Sequence, residues 1–278
     1  MRIAVLSGKG GAGKTFISVN LAVAADHSTY VDCDVEEPNG RLFLKPEDVV
    51  TEEVEVKYPD FDENKCDGCR KCVDFCKFNA LVYIKNKPMV FDDVCHSCGG
   101  CKIVCPKDAV NEIHKPIGVV ETGYHGNTRT ITGVLNFGEA SGVPVIKKAL
   151  ERSMDEQETT IIDCPPGSAC SVMESIEDAD FCILVAEPTA FGFHNFCMVY
   201  ELVTLLDKPC AVVINKMDAE YRPLEEFCEN HQLPVMMRIP FTDKTAKLCA
   251  EGHIACEVDE DLKESFQGLL KQIGGAVR

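Results

Sequence analysis

Apolar positions along the chain fall into two alternating periods. Short continuous apolar runs of strand length occupy 1–6, 29–32, 160–163, 181–186, 210–215 and 235–239. Between them, apolar residues recur at helical spacing near 143–154, 193–206, 223–231 and 245–251, and a further helix is expected over about 14–25. Strand, helix, strand in this order predicts an α/β fold, a mostly parallel sheet covered by helices on both faces, with ligands at the carboxyl ends of the strands. Residues 118–138 alternate in β fashion with several glycines and predict a hairpin that returns the chain to the sheet. Near the end, Leu262, Phe266, Leu269, Leu270 and Ile273 share one helical stripe. The opposite face mixes Asp261 and Glu264 with Lys263 and Lys271, so packing on the sheet is expected rather than a cationic membrane face.

The alternation stops between about 58 and 114, where the sequence becomes cysteine-rich and duplicated. Cys66-x-x-Cys69-x-x-Cys72-x-x-x-Cys76 recurs 29 positions later as Cys95-x-x-Cys98-x-x-Cys101-x-x-x-Cys105, with Ala80 aligned on Ala109 and Leu81 on Val110. The chain therefore divides into a first segment 1–58, an insert 59–114 and a second segment 115–278 of one interrupted domain. Seventeen cysteines in 278 residues raise the choice between disulfides and ligands. Disulfide frameworks belong mostly to small secreted domains, and the clustering of eight cysteines in the insert fits ligation better. The spacing is similar to that of two-cluster bacterial ferredoxins, in which the fourth cysteine of each run serves the other cluster. One [4Fe-4S] site is then expected on Cys66, Cys69, Cys72 and Cys105, and the second on Cys95, Cys98, Cys101 and Cys76. Zinc is the alternative, because paired C-x-x-C motifs also build ribbons. Pro106 follows the last cysteine as in ferredoxins, whereas Lys77 stands after Cys76.

Charge narrows the partners. Against 28 Lys plus Arg stand 45 Asp plus Glu, a net charge of −17, with no basic run to make a local exception. A polyanion would meet a repulsive field, so no nucleic-acid partner is expected, while small anions held by local donors are allowed. No stretch approaches the ~18 apolar residues of a membrane helix, and the polar Gly8 and Lys9 follow the first apolar run too soon for a secretory signal. A cytoplasmic protein is expected.

The first apolar run leads straight into Gly8-Lys9-Gly10-Gly11-Ala12-Gly13-Lys14-Thr15, which matches G-x-x-x-x-G-K-[ST] between a strand and a helix. Glycines let successive N–H groups point inward at phosphate, and the following helix adds its positive end. Lys14 is expected at the β/γ-phosphates and Thr15 at Mg²⁺. The alternative is a Gly-rich turn with no ligand.

Lys9 inside this loop narrows the resemblance. Lys-Gly-Gly-x-Gly-Lys-Thr resembles the deviant Walker A loop of the MinD, ParA and nitrogenase iron protein group of P-loop ATPases. The whole arrangement looks like MinD-superfamily ATPases with an inserted two-cluster ferredoxin domain. The resemblance implies ATP, Mg²⁺ and two [4Fe-4S] clusters as cofactors, and an ATP-dependent homodimer, or a heterodimer with a paralogue, in which Lys9 reaches the partner's phosphates. It implies that Asp34 orients the attacking water, that Asp163 approaches Mg²⁺ through water, and that Gly167 offers an N–H to the γ-phosphate. Asn215 and Pro240 are similar to the adenine-side segments, although Asn215-Lys-x-Asp218 is also a guanine-reading signature. Outside the insert no C-x-x-C occurs, so the dimer-bridging cluster of related iron–sulfur carriers has no obvious ligands.

Three functions compete. The first is an ATPase coupling nucleotide state to electron transfer with an unidentified redox or acceptor protein. The second is an assembly or delivery factor for iron–sulfur or other metal cofactors, and the third a MinD-like, redox-responsive positional or regulatory switch. Cys33 and Cys164 flank Asp34 and Asp163 and are expected to be buried strand-end residues, with a redox-sensitive thiol as the alternative. Cys170 is expected just beyond the Asp163 segment, where two copies could approach.

Overall fold

The computed structural model describes residues 1–154 and 159–277. In chain order the first elements are β1 (Arg2–Leu6), α1 (Lys14–Ala24), β2 (Ser28–Asp32), α2 (Gly40–Leu44) and the long β3 (Glu47–Phe61). The cysteine-rich stretch contributes α3 (Lys71–Phe75), β4 (Leu81–Ile84), β5 (Lys87–Val90) and α4 (Gly100–Ile103), and the chain returns through β6 (Val110–His125) and β7 (Thr128–Leu135). Then follow α5 (Val143–Arg152), β8 (Thr159–Asp163), α6 (Cys170–Ile176), β9 (Phe181–Ala186), α7 (Ala190–Leu205), β10 (Cys210–Met217), α8 (Arg222–Asn230) and β11 (Val235–Pro240). The chain closes with α9 (Asp243–Ala250), α10 (Ala255–Val258) and α11 (Glu260–Ala276).

Among the described residues the main sheet has nine strands in the order β11-β10-β9-β1-β8-β2-β7-β6-β3. From β11 through β7 every neighbouring pair is parallel, and β6 and β3 add an antiparallel flank. The expected hairpin is β6 and β7, turning at Gly126 and Asn127. The parallel strands read as continuous apolar runs because both of their faces are covered. In β1, Ala4 and Leu6 enter one core with α5, α6 and α7, while Ile3 and Val5 enter the other with α1 and α11. Phe266, Leu269 and Ile273 bury the stripe of α11 in that second core, as its sequence requires. No helix among the described residues is long and apolar enough to cross a membrane.

β3 has no counterpart in the apolar pattern. Its Glu52, Glu53 and Glu55 look like a solvated segment, and Val50 is 70% exposed. The strand exists because it pairs with β6 over almost its whole length, and its charges suit a sheet edge, where they discourage pairing with another chain. Together β3 and β6 form a ribbon that runs through positions 58/59 and 114/115 and carries residues 62–109 at its end.

The 29-residue repeat reappears in the backbone. Left-handed residues occur in matched pairs, Gly68 (φ 74°) with Ser97 (φ 51°), Arg70 (φ 65°) with Gly99 (φ 71°), and Asn79 (φ 54°) with Asp108 (φ 46°). The aligned Ala80 and Ala109, and Leu81 and Val110, are all buried. The same turns therefore place each cysteine run, and the same small apolar residues pack behind it.

Candidate functional site

The loop after β1 is held in shape by close backbone packing. Gly13 has φ +94°, and a Cβ there would lie 2.0 Å from the Asn215 amide nitrogen. A side chain at Gly8 would lie 2.0 Å from the Asn195 carbonyl oxygen in α7. Only glycine satisfies both positions. Asn215, at the end of β10, donates from Nδ2 to the Ala12 carbonyl at 2.9 Å, and Lys216 donates to the carbonyl of Gly11. The loop opens onto a cavity of about 590 Å³, within the usual range for small-molecule sites. Lys9, Gly10, Gly11, Gly13, Lys14 and Thr15 line it, and Asp34 faces them.

Gly8, Ala12, Asn215 and Asp163 support the wall from behind. Pro240 is not brought to this wall and pairs instead with Met217 across β10 and β11. The N–H of Gly167 donates to the Ser7 carbonyl at 2.9 Å, so in this state it is committed to the loop and does not face the cavity. Lys9 also turns aside. Its ammonium pairs with Glu187 at 2.7 Å and lies 5.4 Å from the ring centre of Phe191.

Charge converges beneath the loop. Lys14 Nζ lies 2.8 Å from Asp163 Oδ1 and 3.6 Å from Asp34 Oδ2. Burial opposes the ammonium charge, yet Asp163, Asp34 and Asp32 outweigh it and hold Lys14 above the ordinary lysine range. Ser18 Oγ donates to Asp163 Oδ1 at 3.1 Å and Tyr30 OH donates to Asp163 Oδ2 at 3.0 Å. Asp32 pairs in register with Asp163 and accepts from the N–H groups of Gly40 and Asp34. Burial, then the neighbouring Asp163, pushes Asp32 well above the carboxylate range against the pull of Lys14. Burial also raises Asp34, again opposed by Lys14. The arrangement is a buried cation that a phosphate can share, with one half-buried carboxylate on the cavity side.

Sequence reasoning missed Ser18, Tyr30, Asp32 and Glu187. A usable signal for Asp32 was present, because β2 and β8 both end in aspartate at the carboxyl edge of the sheet. Glu187 needed the β1–β9 adjacency, which no local motif announces.

The eight clustered cysteines divide around two cavities. One is lined by Cys66, Cys69, Cys72 and Cys105, the other by Cys76, Cys95, Cys98 and Cys101. Each set thus takes three cysteines from one repeat and the last from the other. The thiols sense one another in the same groupings. Burial raises Cys72 against the N–H of Val73, with Cys105 and Cys66 adding to the rise. Burial raises Cys95 against the N–H of Ser97, with Cys76 and Cys98 adding to it. Burial pushes Cys101 up to about 11 over the opposing N–H of Lys102, with Cys95 and Cys98 contributing. Four crowded thiols, in each set three partly buried and one (Cys69 or Cys98) exposed, favour a shared cationic group that lets them ionise, and the N–H of Ala109, 3.3 Å from Cys105 Sγ, already points at sulfur. Among the described residues no group of three or more His, Cys, Asp or Glu side chains is arranged to hold a metal ion.

The other cysteines behave differently. Cys33 and Cys164 are fully buried, and burial pushes both thiols well up, so they are inert strand-end residues. Cys170 is exposed at the start of α6.

Residues 3–255 match the family model described as the CobQ/CobB/MinD/ParA nucleotide binding domain. An uncharacterised protein of Methanocaldococcus jannaschii is 29% identical over 279 residues, covering 98% of this chain and 96% of that protein. An uncharacterised ferredoxin of the same organism is 36% identical over 53 residues, 18% of this chain and 69% of the ferredoxin. The fold is similar to that of the septum site-determining protein MinD of Pyrococcus horikoshii, solved with Mg-ADP, at a TM-score of 0.60 and 17% identity, covering 100% of this chain and 98% of that one.

Proposed function

Because the chain belongs to the CobQ/CobB/MinD/ParA nucleotide-binding family, we propose that it is a Mg-dependent ATPase whose nucleotide state is coupled to electron transfer through two [4Fe-4S] clusters. The observation that carries this reading is that two four-cysteine rings and a phosphate-loop cavity hang on one continuous sheet, joined by the β3–β6 ribbon. The short match to a ferredoxin supports the cluster half. Residues 59–114 are then an inserted ferredoxin-like domain, and each cubane supplies a one-electron couple.

With a nucleotide bound, the amides of the loop and Lys14 would hold the phosphates, Thr15 would hold Mg²⁺, and Asp163 would approach the ion through water. Phosphoryl transfer needs positioned charge more than covalent chemistry. Asp34, beside Lys14 and open to the cavity, orients the attacking water. When the phosphates arrive, Lys14 is shared between them and the carboxylates that now neutralise it. Asn215 would act by fixing the loop through the Ala12 carbonyl, and Pro240, away from the cavity wall, takes no role at the nucleotide. Gly167 reaches the γ-phosphate once its N–H leaves Ser7.

Lys9 acts across a dimer. Within one protomer its charge is satisfied by Glu187, so the lysine changes partner when two nucleotide faces meet. A partly exposed pair of this kind holds by only about 0–1 kcal/mol, which makes the exchange easy. ATP turnover per protomer is therefore expected to rise with protein concentration. Lys9→Ala is expected to lower turnover at least ~100-fold, in the manner of a charge supplied in trans, while changing the Mg-ATP affinity of the monomer by less than ~3-fold. Steady-state rates across a protein dilution series, with equilibrium dialysis of a non-hydrolysable analogue, measure both. Turnover per protomer that ignores concentration, together with a Lys9→Ala variant as active as the parent, overturns the trans assignment.

A further inference from the structure

Residues 136–144, the loop after β7 and the first two residues of α5, lie between the nucleotide cavity and one of the two cysteine rings and contribute to the lining of both the cavity and a crevice at Cys95. On one side Gly142, with Ile146 a turn further on, lines the nucleotide cavity. On the other side Glu139, Ser141 and Pro144 face Cys95, His96 and Ser97 across a narrow crevice. Lys115 spans its rim, paired with Glu139 at 3.1 Å and lying 5.4 Å from the ring centre of Tyr58. The Tyr58 hydroxyl in turn donates to Asp92, just ahead of Cys95. Among the described residues, the cavity of Cys66, Cys69, Cys72 and Cys105 shares no lining residue with this segment. All of the residues lining it lie between Phe61 and Ala109.

The link toward the nucleotide is stiff. Val35 follows Asp34, accepts the Leu135 N–H at 2.8 Å, and fills the space between two glycines. A Cβ at Gly142 would lie 2.5 Å from Val35 Cγ2, and one at Gly133 would lie 2.6 Å from Val35 Cγ1. Val35 is therefore packed closely against both glycines, and Gly142 is the N-cap of α5, so a shift of Val35 bears on the start of that helix. Asn136 donates to the Ile117 carbonyl at 2.8 Å, which ties the same segment to β6.

We propose that Glu139 and Lys115 are positioning residues that dock the Cys76, Cys95, Cys98 and Cys101 ring, and not the other ring, onto the nucleotide site. The proposal rests on the reading above, that the rings hold clusters and the cavity holds a nucleotide. Filling the phosphate cavity resets Asp34 and Val35, the 136–144 segment follows, and its Glu139 end changes the surroundings of Cys95 and His96. A cluster on Cys66, Cys69, Cys72 and Cys105 would feel the nucleotide only through its companion. The two clusters are thereby made unequal by one ion pair rather than by their ligands.

Hydrogen exchange read by mass spectrometry on the full, anaerobically iron-loaded chain tests this, with and without Mg²⁺ and a non-hydrolysable ATP analogue. In the parent, nucleotide is expected to slow exchange at least ~3-fold in peptides covering 8–15, 136–144 and 92–98, with 66–72 unchanged. In Glu139→Gln and in Lys115→Gln, two near-isosteric changes of partly buried side chains outside the apolar core, protection of 8–15 is expected to remain while protection of 92–98 is lost. Equal protection of 92–98 and 66–72, protection of 66–72 alone, or variants that keep the 92–98 response overturn the proposal. No protection of 8–15, or an iron count near zero, shows instead that the underlying reading has failed and takes the proposal with it.

Discussion

Lys14→Met is expected to abolish detectable Mg-ATP binding and to destabilise the ligand-free protein as well. The first effect follows from the cavity, where Lys14 is the buried cation of the loop. The second follows from what lies beneath it. Asp163, Asp34 and Asp32 converge on this ammonium, and Asp163 is fully buried. Removing one partner of a buried ion pair commonly costs about 3–5 kcal/mol, because the other charge is left in a poor medium. The cost is set by pH. Lys14 opposes the rise already imposed on Asp32 and Asp34 by burial, so without it their folded-state values climb further above the unfolded carboxylate range. A group raised in this sense contributes fully below its unfolded value and loses its contribution as pH rises through the folded one. The variant should therefore run closest to the parent in stability in acid and fall further behind as pH rises through about 8, the folded-state value of Asp32 in the parent. Chemical denaturation at several pH values measures the gap, and a gap that widens toward acid contradicts the assignment.

The second large effect concerns which cysteines act together. Cys76 lies in the first repeat but lines the cavity of Cys95, Cys98 and Cys101, and Cys105 lies in the second repeat but lines that of Cys66, Cys69 and Cys72. Two cubanes bring about eight irons per chain, so losing one ring leaves about four. Cys76→Ser combined with Cys98→Ser strikes one ring and should retain about four irons, whereas Cys76→Ser combined with Cys69→Ser strikes both and should retain almost none. Iron and sulfide counts on the two double variants decide the matter. The reverse pattern would mean that each repeat folds around its own cluster, against the exchange of last cysteines seen in the structure.

Much of this was legible in the sequence because its strongest signals are local. A loop in which Gly13 must be left-handed and Gly8 must clear α7 can only be written with glycine, so the phosphate loop announces itself. Parallel strands covered on both faces read as apolar runs, and β1, β8, β9 and β10 were found at nearly their observed limits. The cysteine repeat carries its own turns, legible in the structure as matched left-handed residues 29 positions apart. Where the sequence was silent, the cause was long-range. β3 is a strand only because β6 lies beside it, and its glutamates hide it from any periodicity. The Glu187 contact with Lys9 depends on β9 lying next to β1. Gly167 was expected to face phosphate, yet the geometry gives its N–H to Ser7, a choice between two acceptors that no motif encodes. The bridge from Val35 through Gly142 to Glu139 joins residues more than a hundred positions apart, and only the packed structure brings them together.

The coupling between nucleotide and clusters is tested most directly by a potentiometric titration followed by electron paramagnetic resonance on the anaerobic, iron-loaded chain, with and without Mg-ATP. The account predicts signals from two cubanes in the fully reduced samples with and without nucleotide, with Mg-ATP shifting the potential or line shape of the one held by Cys76, Cys95, Cys98 and Cys101. Two signals whose potentials and shapes are the same with and without nucleotide would contradict it.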